Sequence, residues 1–97
     1  MIFVYQFKEE LEDFEEVTIK ENVPLFELLN SNKILLFVDS HNRKAWIWEG
    51  ANTNPRMKFI SAQAAPHIRD SHDNTFTITS VDEGEETAAF KVLIGLL

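Results

Sequence analysis

Ninety-seven residues with a formal net charge of −7 and no cysteine make one domain of ordinary size, and the absent thiols exclude disulfides, thiolate metal sites and cysteine nucleophiles together. Sixteen acids against nine Lys and Arg exclude DNA, RNA and anionic membrane as principal partners, because those surfaces need clustered cations. The apolar opening Met1–Phe7 gives way to Lys8, too short a run for a signal peptide or a membrane span, so a soluble, cytoplasmic domain is expected.

In Met1–Phe7 the residues Phe3, Tyr5 and Phe7 alternate with Ile2 and Val4, a period of two that predicts a first strand. Glu9–Phe14 reads as an exposed acidic turn. Glu16–Lys20, which alternates Val17 and Ile19 with Thr18, reads as the return strand of a hairpin. Pro24 ends that strand, and Leu25–Leu29 predicts a helical turn over a sheet edge. Ile34–Val38 is an unbroken apolar run, as in a central strand covered on both faces. After the turn residues Asp39–Asn42, Lys44–Glu49 places Trp46 and Trp48 on one face and Ala45 and Ile47 on the other, which predicts an antiparallel pair closed by Gly50.

Asn52-Thr53-Asn54-Pro55 is a helix start: Thr53 or Asn54 can cap, and Pro55 suits the first helical position. The helix should run to about Arg69, with Pro66 loosening its last turn, and Asp70–Asn74 should be loop. Thr75–Val81 predicts a fifth strand with Phe76, Ile78 and Ser80 facing away from Thr77, Thr79 and Val81. After the turn at Gly84, Glu85–Leu93 predicts a second helix with acids in its first turn, where they complement the backbone dipole. Five strands and two helices around one sheet make an α+β domain.

No catalytic constellation emerges. His41, His67 and His72 lack metal-ligand spacing, and His41 and His72 fall in expected loops, so all three read as solvated. Glycine occurs only at 50, 84 and 95, which leaves no phosphate-cradling loop. The carboxylates of Asp82–Glu86 lack the alternate spacing of an EF-hand loop. A binding module, not an enzyme, is therefore expected.

Charge and helix geometry point to a surface. Met1–Asn30 carries eight acids and two lysines, Ser31–Arg69 six cations and two acids, and Asp70–Leu97 six acids and one lysine. The mildly basic middle suits an acidic partner. Within it, at about 100° per residue, Met57, Ser61, Ala64 and Ile68 share a stripe bordered by Ala65, the expected core face. Phe59 lies opposite and Ile60 flanks it, rimmed by Arg56, Gln63 and His67, an apolar centre with a polar rim.

These segments resemble a gelsolin-like domain, the repeating unit of gelsolin, villin and severin. The resemblance rests on KILLFVD at Lys33–Asp39, AWIWEG at Ala45–Gly50, the Asn-rich turn into the helix Asn54–Arg69, VDEGEETAAFKVL at Val81–Leu93, and Leu29-Asn30, so it spans Leu29–Gly95. It implies a single gelsolin-like domain over residues 1–97, with a five-stranded mixed sheet between a long helix (about 55–69) and a shorter one (about 85–94). It further implies actin as partner, bound at the outer face of the long helix through Arg56, Phe59, Ile60, Gln63, Pro66 and His67. One domain engages one actin, so sequestering monomers or capping filament barbed ends is expected rather than severing.

Calcium is where the sequence departs from the family. An anionic pair that often holds calcium within such domains is replaced by Asn32-Lys33-Ile34 and by Met57, and a thioether supplies neither the charge nor the hard oxygen that calcium requires. A second site, shared with actin, would draw on Asp70 and Glu86 and would bind weakly. No other cofactor is implied. The alternative reading is a gelsolin-fold interaction module without actin affinity, such as a homodimer that buries Phe59 and Ile60.

Overall fold

The computed structural model describes residues 1–97. Five strands, β1 (Ile2–Lys8), β2 (Asp13–Val17), β3 (Ile34–Asp39), β4 (Lys44–Glu49) and β5 (Thr77–Asp82), are joined by two helices, α1 (Pro55–His72) and α2 (Ala88–Ile94). The strands form one sheet in the order β2-β1-β3-β4-β5. Neighbours run antiparallel except β4 and β5, which are parallel. A parallel pair needs a long crossover, and α1 supplies it.

Every residue of β3 is buried, as its unbroken apolar run requires at the centre of a sheet covered on both faces. Alternation then divides the interior in two. Phe7, Phe14, Ile34, Leu36, Ala45, Ile47 and Phe76 pack beneath α1 with Ala65, while Val4, Leu35, Phe37, Trp46, Trp48 and Val81 pack beneath α2 with Phe90 and Ile94. Ser61 and Ala65 are both fully buried, so the small side chains of α1 are the ones pressed to the sheet. Phe90 stacks edge-on against Phe37 at 5.5 Å and tilted against Trp46 at 5.6 Å between ring centroids, contacts worth about 1 kcal/mol each beyond burial.

Two glycines are dictated by geometry. A Cβ at Gly50 would lie 2.4 Å from the Ser31 carbonyl oxygen, so only hydrogen fits where β4 leaves the sheet. Gly95 ends α2 at φ 88°, the left-handed conformation that glycine adopts without steric cost.

The α+β architecture is the one expected, but several boundaries move. β2 begins at Asp13 rather than Glu16 and ends at Val17, because Phe14 turns inward onto Phe7 at 5.6 Å and leaves only residues 9–12 as the acidic turn. The 3-10 turn Leu25–Leu28 lies not over an edge but on the α2 side, where Leu25, Phe26 and Leu28 cover the core. α1 continues to His72, past Arg69. α2 starts at Ala88, three residues later than expected, because Thr87 caps it by accepting from the Phe90 N–H at 3.3 Å. The acids Glu85 and Glu86 thus precede the helix and are engaged elsewhere.

Candidate functional site

α1 is fixed at both ends, which makes its outer face a rigid surface. At the start, Asn54 Oδ1 accepts from the Met57 N–H at 2.8 Å, and Pro55 follows at the position where its missing N–H costs nothing. At the end, Arg69 Nη1 donates to the Phe76 carbonyl at 3.0 Å, and Tyr5 Oη meets His72 Nε2 at 2.6 Å. His72 also stacks on Phe3 at 4.6 Å between centroids. Expected in a loop and solvated, His72 instead anchors the last helical turn to β1. These ties carry the helix across Pro66, whose missing N–H leaves the Ala62 carbonyl without its usual donor.

Phe59 is 64% exposed although its helix is well packed. Gln63 and His67 are exposed on the same side, and Pro66 is half-buried. Ile60 is less free than its position on the helical wheel implies: it is half-buried and packs against the core beneath α1, so only part of it belongs to the surface. Arg56 is tethered, its Nη2 lying 2.9 Å from Glu12 Oε2 in the β1–β2 turn. Both side chains are well solvated, so this bridge contributes at most about 1 kcal/mol. It does fix the turn beside the first turns of α1, and it brings in Leu11, next to Glu12 and 57% exposed. Leu11 was missed from sequence because it lies in a run of acids. That placement, an apolar residue where solvation alone would be served by charge, was the available signal.

The two residues associated with a shared calcium site do not meet. Asp70 is exposed beside Arg69, whose Nε lies 2.6 Å from Asp70 Oδ1, at the end of the sheet where β5 begins. Glu86 lies past the other end of β5 and accepts from Trp48 Nε1 at 2.9 Å and from the Gly84 N–H at 3.0 Å. The six-residue strand β5 lies between them in the chain, and the two carboxylates have separate hydrogen-bond partners. Burial raises the Glu86 carboxyl, but the bonds from Trp48 and backbone N–H groups, with nearby Lys91, outweigh it and hold the group below its ordinary range.

At the other calcium-associated positions, Asn32 Oδ1 accepts from Asn52 Nδ2 at 3.1 Å, and Met57 packs on the core beneath α1. Nearby, Glu83 accepts from Ser31 Oγ at 2.9 Å and from the Ala51 N–H at 2.8 Å. Neutral amides and a thioether in this arrangement do not fit a calcium ligand set. No three His, Asp or Glu side chains converge as a metal site anywhere in the chain. No helix is long and apolar enough to cross a membrane.

Neither a protein-family model nor a curated protein matches the sequence. Solved structures do. Thorarchaeota ProGel, in complex with rabbit actin, superposes with a TM-score of 0.79 at 21% identity, covering 98% of this chain and all of that one. Thorarchaeota 2DGel3, also in complex with rabbit actin, gives 0.66 at 23% identity over 92% of this chain, which spans 43% of that longer one. Likeness along the whole length, with the strand order and two helices described above, gives this chain a gelsolin-like fold.

Proposed function

We propose that this domain binds actin through the outer face of α1, with Phe59 as the apolar anchor and Arg56, Ile60, Gln63, Pro66 and His67 around it. The observation that carries the reading is Phe59 itself: a phenylalanine 64% exposed on a helix pinned at both ends. A large aromatic on a rigid, polar-rimmed surface is the usual composition of a binding hot spot. The likeness over the full chain to a domain solved in complex with actin supplies the partner. Leu11 extends the surface at the β1–β2 turn.

One face engages one actin, so the activity proposed is monomer sequestration or capping of a filament end. Calcium plays no part within the domain, since the donors at Asn32 and Met57 do not suit it. Of the residues considered for a cation shared with actin, Asp70 alone adjoins the outer face of α1. Soluble cytoplasmic localisation and the absence of enzymatic activity follow from the same reading. Polymerisation of pyrene-labelled actin with increasing domain, in EGTA and in calcium, tests it. The domain should slow assembly equally in both, and Phe59→Asp should remove the effect. Unchanged assembly under both conditions would sink the proposal.

A further inference from the structure

Among the residues of the proposed surface, Pro66 alone alters the backbone beneath it. A proline inside a helix supplies no N–H to the carbonyl four residues back, and its ring crowds that same oxygen. The carbonyl is that of Ala62. No α1 hydroxyl takes the place of the missing donor: Ser61 donates instead to the Lys58 carbonyl at 3.0 Å and Ser71 to the Ile68 carbonyl at 2.6 Å.

The open carbonyl belongs to the outer face. At about 100° per residue, Phe59, Ala62, Gln63 and Pro66 are the four corners of one diamond on the helix surface, the arrangement in which a side chain of a facing surface seats. This diamond is turned away from Ser61 and Ala65, which are fully buried. Phe59, Ala62 and Gln63 are exposed, and Ala62 offers only a methyl group, so the seat is not filled from within. The row from Ala62 to Pro66 forms one side of the diamond, and the unserved oxygen lies along it.

We propose that the Ala62 carbonyl is a specificity-determining acceptor and that Pro66 makes it one: the partner side chain that seats between Phe59 and Pro66 carries a hydrogen-bond donor, a hydroxyl or an N–H, directed at this oxygen. The inference rests on the reading that the outer face of α1 is buried against actin. In the free domain solvent satisfies the carbonyl. Burial of Phe59 excludes that solvent, and an acceptor left without a donor then costs free energy. A surface with no donor at this point is therefore rejected, whereas a helix with an N–H at residue 66 would be indifferent to the difference.

Actin affinity and thermal midpoint, measured together for wild type, Pro66→Ala, Pro66→Val and Phe59→Asp, test this. Both substitutions at residue 66 return an N–H to the Ala62 carbonyl, and valine also keeps apolar bulk where the ring stood. Neither should lower the thermal midpoint, since proline is the least favourable residue in a helix interior. Both should nonetheless weaken binding at least about fivefold, because the partner's donor is left unpaired.

Carbonyl resonances report the bond itself. With alanine carbonyls and glutamine amides isotope-labelled, Ala62-Gln63 gives a unique signal, because Gln6 follows Tyr5. Addition of actin to the wild-type chain should move this signal towards that of a bonded carbonyl, a position that Pro66→Val should show without actin. Wild-type affinity in Pro66→Val, or an Ala62 signal unmoved by actin, overturns the proposal alone if Phe59→Asp still weakens binding. Absence of binding by the wild-type chain overturns the actin reading and this proposal together.

Discussion

Tyr5 and His72, 67 positions apart, are joined by a 2.6 Å hydrogen bond that fastens the last turn of α1 to β1. The bond explains how an exposed helix face stays rigid beyond a proline. Removing it in Tyr5→Phe should cost about 1 kcal/mol, read as a lower urea midpoint. Faster amide exchange confined to residues 69–72 should accompany it.

The same tyrosine makes stability depend on alkaline pH. Burial, and then the negative charge of Glu16, push the Tyr5 hydroxyl above its ordinary value. A group whose value rises on folding contributes stability that is complete below its unfolded value, about 10, and is lost as pH climbs through the folded one. Urea midpoints should therefore fall above about pH 10, and less steeply in Tyr5→Phe.

Glu49 offers an acidic counterpart. Burial, a hydrogen bond with Asp82 and repulsion from the Asp82 charge raise its carboxyl, with Lys58 opposing. The folded state thus favours the protonated form, and this contribution is present below the ordinary glutamate value, about 4.3, and lost as pH rises through the folded value. Glu49→Gln keeps a partner for Asp82 without the charge. It should raise the urea midpoint at pH 7 and leave it nearly unchanged at pH 4.

Gly50→Ala tests the packing where β4 leaves the sheet. Its methyl would meet the Ser31 carbonyl oxygen at 2.4 Å, a backbone atom with no rotamer to escape through. Destabilisation of about 1–3 kcal/mol is expected, visible as a lower thermal midpoint.

Much of this architecture was legible because local pattern and burial agree. The run Ile34–Val38 could only be central, and the alternation of Ala45–Trp48 assigned its faces correctly. Asn54-Pro55 fixed the start of α1 because a cap and its acceptor are three residues apart. Its end was misplaced because the holding contacts, Tyr5 to His72 and Arg69 to Phe76, come from strands that a local reading cannot bring near. Asp70 and Glu86 were paired by resemblance, yet β5 runs between them, and only topology reveals that. Helical periodicity puts Phe59 outward, as found, whereas Ile60 flanks the core stripe and is half-buried, since a residue at the border of a stripe is decided by how closely the helix lies on the sheet.

The affinity of this domain for monomeric actin, titrated in EGTA and again in calcium with wild-type chain and Phe59→Asp, tests the central claim most directly. Saturable binding of equal affinity is expected under both conditions, weakened by roughly thirtyfold or more in Phe59→Asp, as loss of a central aromatic anchor requires. Absence of binding, or binding that Phe59→Asp leaves unchanged, would contradict it.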